Sequence, residues 1–405
     1  MTTRRILVVG GGPAGTFAAI AAKRQDPAAS VALLTLEDCE PYEKPPLSKA
    51  VLLGRAAPHD ARIAGPGGVA AHDVVLEIRA NCTSIDRIAR EVVLAEGARR
   101  PYDALVIATG SGPREIPLLP VGMPRVHYLR THDDARALEA ALRATRDLLV
   151  VGGGLIGLEV AASAATLGIN VTVLEVAPRI LARVCDEQTG AVVHAAHARH
   201  GVDIRVATSL VAIEARGDGR IAGMTGAGER VTADLVVVGT GSKPDTALAA
   251  AAGLAVDDGI VVDAQCRTSD AAIFAAGDCV RFPGPGGLVR LENWIHAQDQ
   301  GTVAGRNAAG ANDTYAAAPS FWSEQYDLYI QGVGWPCADT VRVTRPLGGE
   351  RLLVFDVKDN TLAYAMGINA QRDVAAARRL IELRVPVDAA ALADPAQSLN
   401  AMLKR

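Results

Sequence analysis

The chain has 405 residues, enough for two to three domains at roughly 150 residues each. Its 49% hydrophobic and 21% charged residues are the proportions of a globular protein with real cores, not of a disordered or fibrous one. Lysine and arginine number 41 against 45 aspartates and glutamates, so the basic excess of a general nucleic-acid or membrane-surface binder is missing.

The start runs straight into a strand, and the apolar runs break well before the ~20 residues that a membrane helix needs. The six cysteines, Cys39, Cys82, Cys185, Cys266, Cys279 and Cys337, form no C-x2-C pair. Reduced, small buried thiols in a cytoplasmic protein are therefore expected, with no metal site. Aromatic residues are scarce, with Trp 3, Tyr 7 and Phe 5, which gives weight to any tryptophan inside a motif.

Arg5 to Val9 is an apolar, β-prone run. Gly10-Gly11-Gly12-Pro13-Ala14-Gly15 follows, then an alanine-rich helix pattern from Thr16 to Lys23. A second apolar run, Ser30 to Leu36, ends at Glu37, about 20 residues beyond Gly15, where an acid would hydrogen-bond a ribose. Strand, glycine turn and helix recur at Leu148 to Val151, Gly152-Gly153-Gly154-Leu155-Ile156-Gly157 and Leu158 to Leu167. The strand Asn170 to Leu174 then ends at Glu175. Gly10 and Gly152 permit the tight turn, Gly12 and Gly154 let a pyrophosphate approach the backbone, and Gly15 and Gly157 let helix pack on strand. The phosphates meet the positive end of each helix.

Two dinucleotide sites in one chain suggest that one cofactor passes electrons to the other. In such chains the first site commonly keeps a flavin and the second takes an exchangeable nicotinamide. Glu175 would accept the ribose hydroxyls and repel a 2′-phosphate, favouring NADH, although Arg179 lies near enough to soften that preference.

Further motifs follow in order. Pro41-Tyr42-Glu43-Lys44-Pro45-Pro46-Leu47-Ser48-Lys49 holds no cysteine, and Tyr128-Leu129-Arg130-Thr131 comes next. Val106-Ile107-Ala108-Thr109-Gly110 has a counterpart in Val236 to Gly241, which includes Gly239. Ile273-Phe274-Ala275-Ala276-Gly277-Asp278, Arg290-Leu291-Glu292-Asn293-Trp294 and Phe321-Trp322-Ser323-Glu324-Gln325-Tyr326 complete the set. Together they resemble the glutathione-reductase-like, two-dinucleotide flavoproteins. Within that group they resemble the NADH-dependent ferredoxin reductases that serve bacterial oxygenases.

The resemblance implies an α/β fold with two Rossmann-like dinucleotide-binding domains, one for FAD and one for NAD, plus a C-terminal α+β domain. The expected segments are an FAD-binding part over 1–112, an inserted NADH-binding domain over 113–242, a second FAD-binding part over 243–319 and a C-terminal domain over 320–405. It implies FAD contacts at Ala14, Glu37, Lys49, Ala80, Arg130, Asp278 and Trp294, within a site that also includes Gly10, Gly12, Pro13, Gly15, Lys44, Pro45, Ala108, Thr109, Gly110 and Gly277. The nicotinamide site comprises Gly152, Gly154, Leu155, Ile156, Gly157, Glu159, Glu175 and Gly239.

Lys49 and Glu159 are implied as the catalytic pair beside the flavin, with the ammonium stabilising charge on the reduced ring. Trp322 is implied at the surface that meets a [2Fe-2S] ferredoxin, since the chain lacks the clustered cysteines of an iron–sulfur centre. A reductase of rubredoxin or another small acceptor is an alternative, as is an NADH-responsive signalling flavoprotein.

In the last domain the pattern predicts strands over Leu328 to Val333, Thr340 to Val343, Arg351 to Val357 and Thr361 to Met366. A helix over Arg372 to Leu383 follows. Its Arg372, Arg378 and Arg379, with Arg384, either attract an acidic ferredoxin or form a solvated face. His194, His197 and His200 read as an exposed helix rather than a metal site. Pro283 to Gly287 reads as a loop tip.

Overall fold

The computed structural model describes residues 3–215, 219–316 and 318–403. The chain divides into two compact units. The first gathers the chain up to Glu43, His59–Gly112 and Lys243–Pro319; the second gathers Lys44–Pro58, Pro113–Ser242 and Ser320–Arg405.

The first unit is built on a five-stranded parallel sheet in the order Ile273–Ala275, Ala104–Ile107, Arg5–Val9, Ser30–Leu34, Val75–Glu77. Ile6 to Val9 and Ala104 to Ile107 are buried without a break, as strands covered on both faces must be. The helix Pro13–Gln25 starts at proline, whose missing N–H is one that the first turn leaves unpaired in any case. A second helix, Trp294–Ala308, is capped by Asn293, whose side-chain oxygen accepts the His296 N–H at 2.8 Å. The two helices cross at small residues. A Cβ on Gly301 would stand 2.2 Å from the Ala14 carbonyl oxygen, and one on Gly305 would stand 2.0 Å from that of Ala18, so only glycine permits this approach.

The second unit holds another five-stranded parallel sheet, ordered Asp203–Arg205, Asn170–Leu174, Asp147–Val151, Leu235–Val238, Val126–His127. Its C-terminal part is a five-stranded antiparallel sheet, ordered Ser320–Gln325, Leu328–Gly334, Thr361–Ile368, Leu352–Lys358, Val341–Pro346. The helix Gln371–Glu382 buries Val374, Ala377 and Leu380 and leaves Arg372 and Arg379 exposed. Leu52, Leu138, Leu158, Val173, Ile330 and Met366 belong to one continuous apolar core. That core explains why residues 44–58, expected with the first FAD-binding segment, belong to the second unit instead. Two parallel sheets and a C-terminal sheet-and-helix part give the α/β architecture expected.

Several local expectations need correction. Both glycine-turn helices begin earlier than read, at Pro13 and Leu155, so Gly15 and Gly157 lie inside their first turns. The strand after the first helix stops at Leu34, leaving Leu36 68% exposed. Ser320–Gln325, which the sequence pattern does not single out as a strand, is an edge strand. Cys39, Cys82 and Cys337 are half-buried rather than buried, and no disulfide joins cysteines among the described residues. Pro283–Gly287 does contain a tip, between the paired strands Val280–Gly284 and Gly287–Val289.

Candidate functional site

The two glycine turns repeat one another atom by atom, each within its own unit. Gly10 and Gly152 have φ of 118° and 110°, a region that favours glycine. Their N–H groups donate to the Leu34 and Leu174 carbonyls, both at 2.8 Å. A Cβ on Gly10 would lie 2.1 Å from Ala108 O, and one on Gly152 would lie 2.5 Å from Gly239 O. A Cβ on Gly15 would lie 1.8 Å from Gly10 O, and one on Gly157 would lie 2.1 Å from Gly152 O. Packing therefore accounts for these four glycines and gives Ala108 and Gly239 a steric role of their own.

Gly12 and Gly154 are different. Their φ values, −81° and −83°, suit any residue. A Cβ on Gly12 would meet nothing within 4 Å, and one on Gly154 would meet only Gly239 O at 3.9 Å. Nothing inside the chain demands glycine at either place. In both cases the open space lies at a helix N-terminus. Both helices have no side-chain cap and no acid in the first turn, whereas His132–Leu142 carries a full Thr131/Asp134 capping box. Uncapped N–H groups with room above them fit a dinucleotide pyrophosphate in both units.

The acidic partners of the two turns differ. At Glu175, one carboxylate oxygen accepts the Gly153 N–H and the other the Ala177 N–H, each at 2.7 Å. Backbone donors thus orient the carboxylate beside the turn. Arg179 donates to the carbonyls of Ile180, Ala182 and Cys185 at 3.4, 3.1 and 2.8 Å. Its guanidinium is engaged with the backbone. In the first unit Thr35 stands where Glu175 does, with its hydroxyl 2.5 Å from a Cβ placed on Gly11. Glu37 lies beyond the strand end and accepts the Tyr42 hydroxyl. The Ala80 N–H donates to Thr35 O at 2.9 Å, and its carbonyl accepts from the Cys82 thiol at 3.8 Å.

A buried polar cluster forms in the second unit. The run Pro45–Ser48 is a tight turn, pre-set by two prolines, and is held by the Leu47 N–H donating to Lys44 O at 3.0 Å. It places Lys49 so that Nζ lies 2.9 Å from Glu159 Oε2 and donates to Pro45 O at 3.1 Å. Glu159 is the single charged side chain of the apolar helix Leu155–Thr166 and is 3% exposed. Its Oε2 also accepts the Ser48 hydroxyl, and its Oε1 accepts the Ser323 hydroxyl at 2.6 Å. One helical turn on, the Ser163 hydroxyl donates to Ser48 O at 2.8 Å, fixing the tight turn to the same helix face. A buried carboxylate with this many donors is a built site, not a surface ion pair.

The remaining predicted residues divide between the units. Gly10, Gly12, Pro13, Ala14, Gly15, Glu37, Ala80, Ala108, Thr109, Gly110, Gly277, Asp278 and Trp294 lie in the first. Lys44, Pro45, Lys49, Arg130, the nicotinamide-site residues and Trp322 lie in the second. Asp278 accepts the Ser111 hydroxyl at 2.9 Å, and the Gly277 N–H donates to Gln300 Oε1 at 2.8 Å. Trp294 meets Phe17 edge-on, with ring centroids 5.9 Å apart. Ile156 is 46% exposed, an apolar side chain left at the rim of its turn. Trp322 is half-buried on Ser320–Gln325, opposite Gln331. The reading of an exposed histidine helix is wrong for His197, which is fully buried because its ring packs among Gln325 and Tyr326. Sequence reasoning missed Ser48, Ser163, Ser323, Gln325 and Thr35. The alternation Ser323, Gln325 along one strand face was the available signal.

Comparison with known proteins agrees with this geometry. Residues 4–301 match the pyridine nucleotide-disulphide oxidoreductase family, and residues 320–403 match the reductase C-terminal family. The chain is 41% identical, over the whole of both chains, to the anthranilate 1,2-dioxygenase system ferredoxin–NAD(+) reductase component of Burkholderia cepacia. It is 34% identical to putidaredoxin reductase of Pseudomonas putida, covering 98% of this chain and 96% of that one. The crystal structure of a covalent putidaredoxin reductase–putidaredoxin complex superposes with a TM-score of 0.94 at 33% identity, covering 100% of this chain and 99% of that one.

Proposed function

Since the chain belongs to the pyridine nucleotide-disulphide oxidoreductase family, we propose that it is the NADH-dependent reductase of an oxygenase system, carrying electrons through FAD to a [2Fe-2S] ferredoxin. The observation that carries the reading is the pair of uncapped helix N-termini with open space above Gly12 and Gly154. One is assigned to FAD and the other to NADH. FAD, when bound, would accept one hydride from NADH and pass its two electrons on one at a time, with the proton released to solvent, as a one-electron iron–sulfur partner requires.

Within this reading the chain's own residues have distinct tasks. The N–H groups at Pro13–Gln25 and Leu155–Thr166 bind pyrophosphate, and Glu175 accepts the ribose hydroxyls of NADH. Lys49 supplies a positive charge where negative charge develops on reduction, and Glu159 fixes the direction of its ammonium. Asp278, steadied by Ser111, is assigned to the sugar-alcohol chain of FAD. Trp322 is assigned to the surface that meets the ferredoxin. We place the protein in the cytoplasm; among the described residues no helix is long and apolar enough to cross a membrane.

Anaerobic titration with NADH, followed in the visible spectrum and then by addition of a ferredoxin, tests the proposal. Bleaching of bound flavin and rapid reoxidation by a [2Fe-2S] ferredoxin are expected. Purified protein without a flavin spectrum overturns it, and reoxidation by rubredoxin alone would change the acceptor.

A further inference from the structure

The Lys49–Glu159 pair is one end of a longer buried chain. Glu159 Oε1 accepts the Ser323 hydroxyl at 2.6 Å, and Ser323 Oγ accepts from Gln325 Nε2 at 3.1 Å. Gln325 Oε1 lies 2.8 Å from His197 Nε2, and His197 Nδ1 lies 3.2 Å from the Tyr326 hydroxyl. Ser323, Gln325, His197 and Glu159 are each at most 3% exposed. Each side-chain atom named in this series has its partner inside the protein, so the roles of donor and acceptor are forced.

A carboxylate only accepts, so Ser323 donates to it. The Ser323 oxygen then accepts, so Gln325 presents its NH2 there and its carbonyl to His197. A carbonyl also only accepts, so His197 carries its proton on Nε2. Nδ1 is left as a lone pair for the Tyr326 O–H. All donors point toward Glu159, and such one-way chains reinforce one another. Burial holds the His197 pKa down at about 4, which keeps the ring neutral, as the chain requires. Tyr326 has φ of 57°, a conformation rare for a tyrosine, and its ring stacks on His200 at 3.7 Å. A strained backbone held by two ring contacts marks a fixed end to the chain.

We propose that Ser323 and Gln325 are positioning residues for the Lys49–Glu159 pair, anchored by His197 and Tyr326, so that the edge strand Ser320–Gln325 sets the direction in which Glu159 holds the lysine ammonium. The same strand carries Trp322 on its opposite face, so the segment assigned to ferredoxin contact also holds the catalytic carboxylate. The inference rests on the proposed function only for its kinetic consequence; the hydrogen-bond order stands on the protein alone.

Two measurements on the flavin-loaded protein test it. Nitrogen NMR of 15N-histidine protein at neutral pH is expected to show His197 as the neutral Nε2–H tautomer. An Nδ1–H tautomer or a charged ring would overturn the chain, whatever the protein reduces. Ser323→Ala is expected to lower the rate of flavin reduction by NADH about tenfold, the worth of one hydrogen bond, with little change in NADH affinity. Ser323→Thr keeps the hydroxyl and is expected to restore the rate. Equal rates in the Ser323→Ala variant and the unmodified protein, or an affinity loss instead of a rate loss, would overturn the positioning role. Failure to bind flavin at all would overturn the proposed function and leave the tautomer result to decide the chain.

Discussion

The ammonium of Lys49 lies 2.9 Å from the carboxylate of Glu159, although the two residues stand 110 positions apart in the chain. The contact exists because Pro45–Ser48 packs on the helix that carries both Glu159 and Ser163. If that ammonium acts on the flavin, Lys49→Met should slow anaerobic flavin reduction by NADH roughly 10²-fold, the scale of one lost preorganised charge. Stopped-flow absorbance gives the rate directly. An unchanged rate removes Lys49 from hydride transfer.

The glycines offer a cleaner separation of folding from binding. Gly15→Ala and Gly157→Ala drive a Cβ into a backbone oxygen and should unfold or severely destabilise the chain. Gly12→Ala and Gly154→Ala meet no protein atom closer than 3.9 Å, so thermal unfolding of the cofactor-free protein should move little. Gly12→Ala should instead lose flavin, and Gly154→Ala should raise the KM for NADH. Differential scanning fluorimetry beside the flavin-to-protein absorbance ratio distinguishes the two classes. A Gly12→Ala variant with a full flavin complement would show that the space above this turn is not the pyrophosphate site.

The proposed preference for NADH follows from Glu175 beside the second glycine turn and from the engagement of Arg179. Because the Arg179 guanidinium is turned to three carbonyls, it offers no ready partner to a 2′-phosphate. The kcat/KM for NADH should exceed that for NADPH by at least about 10²-fold, and Glu175→Ala should lower the NADH value about tenfold through KM. Comparable steady-state turnover of the two nucleotides by the unmodified enzyme would contradict the assignment.

Two buried histidines predict the acid limb of the stability curve. Burial lowers His197 from 6.5 to about 4 and His296 to about 3. Both are neutral when folded and take up a proton more readily when unfolded. The unfolded chain therefore binds more protons below about pH 6.5, and stability falls as pH drops from there toward 4 and 3. Above pH 6.5 neither contributes a slope. His197→Gln should flatten this limb by roughly 3 kcal/mol between pH 6.5 and 4 in denaturant titrations. A variant with the same acid slope as the parent would mean that His197 is not buried in its neutral form.

Docking of an acidic ferredoxin by the exposed Arg372, Arg379 and Arg384 predicts a split salt response. Ferredoxin-linked turnover should fall steeply with ionic strength while ferricyanide reduction stays level. Parallel decline of both activities would assign those arginines to a merely solvated face. Arg378 is a weaker candidate, since its Nε pairs with Glu382 at 2.7 Å.

What the sequence makes legible is the repeated part. Strand, glycine turn and helix are written in adjacent residues, so Gly10 to Gly15 and Gly152 to Gly157 identify themselves, while Lys49 and Glu159 come only from the family resemblance, and the structure brings them to 2.9 Å. Less legible is anything assembled across distance. Ser323 looks like an ordinary strand serine until Glu159 is beside it, and His197 looks like a helix-surface histidine until Gln325 covers it. Glu37 differs from Glu175 in its position along the chain. Apolar Leu36 extends the run in the sequence, but the strand stops at Leu34, and the acid falls two places past Thr35, the true counterpart of Glu175. Alternation and periodicity are local signals; burial of polar groups is a property of the finished fold.

The way each unit is assembled from three separate stretches of chain bears on its synthesis. The first unit lacks the strand Ile273–Ala275 and the helix that locks onto Ala14 and Ala18 until more than two thirds of the polypeptide has been made. The second lacks Ser323 and the whole antiparallel sheet until later still. Neither can complete its core in the order in which the ribosome delivers it, so the strand Ala104–Ile107 must wait for Ile273–Ala275 and the helix Pro13–Gln25 for Trp294–Ala308, both synthesised long after them. The nascent chain is thus exposed to aggregation for most of translation, and its yield in a host should depend on chaperone supply and growth temperature.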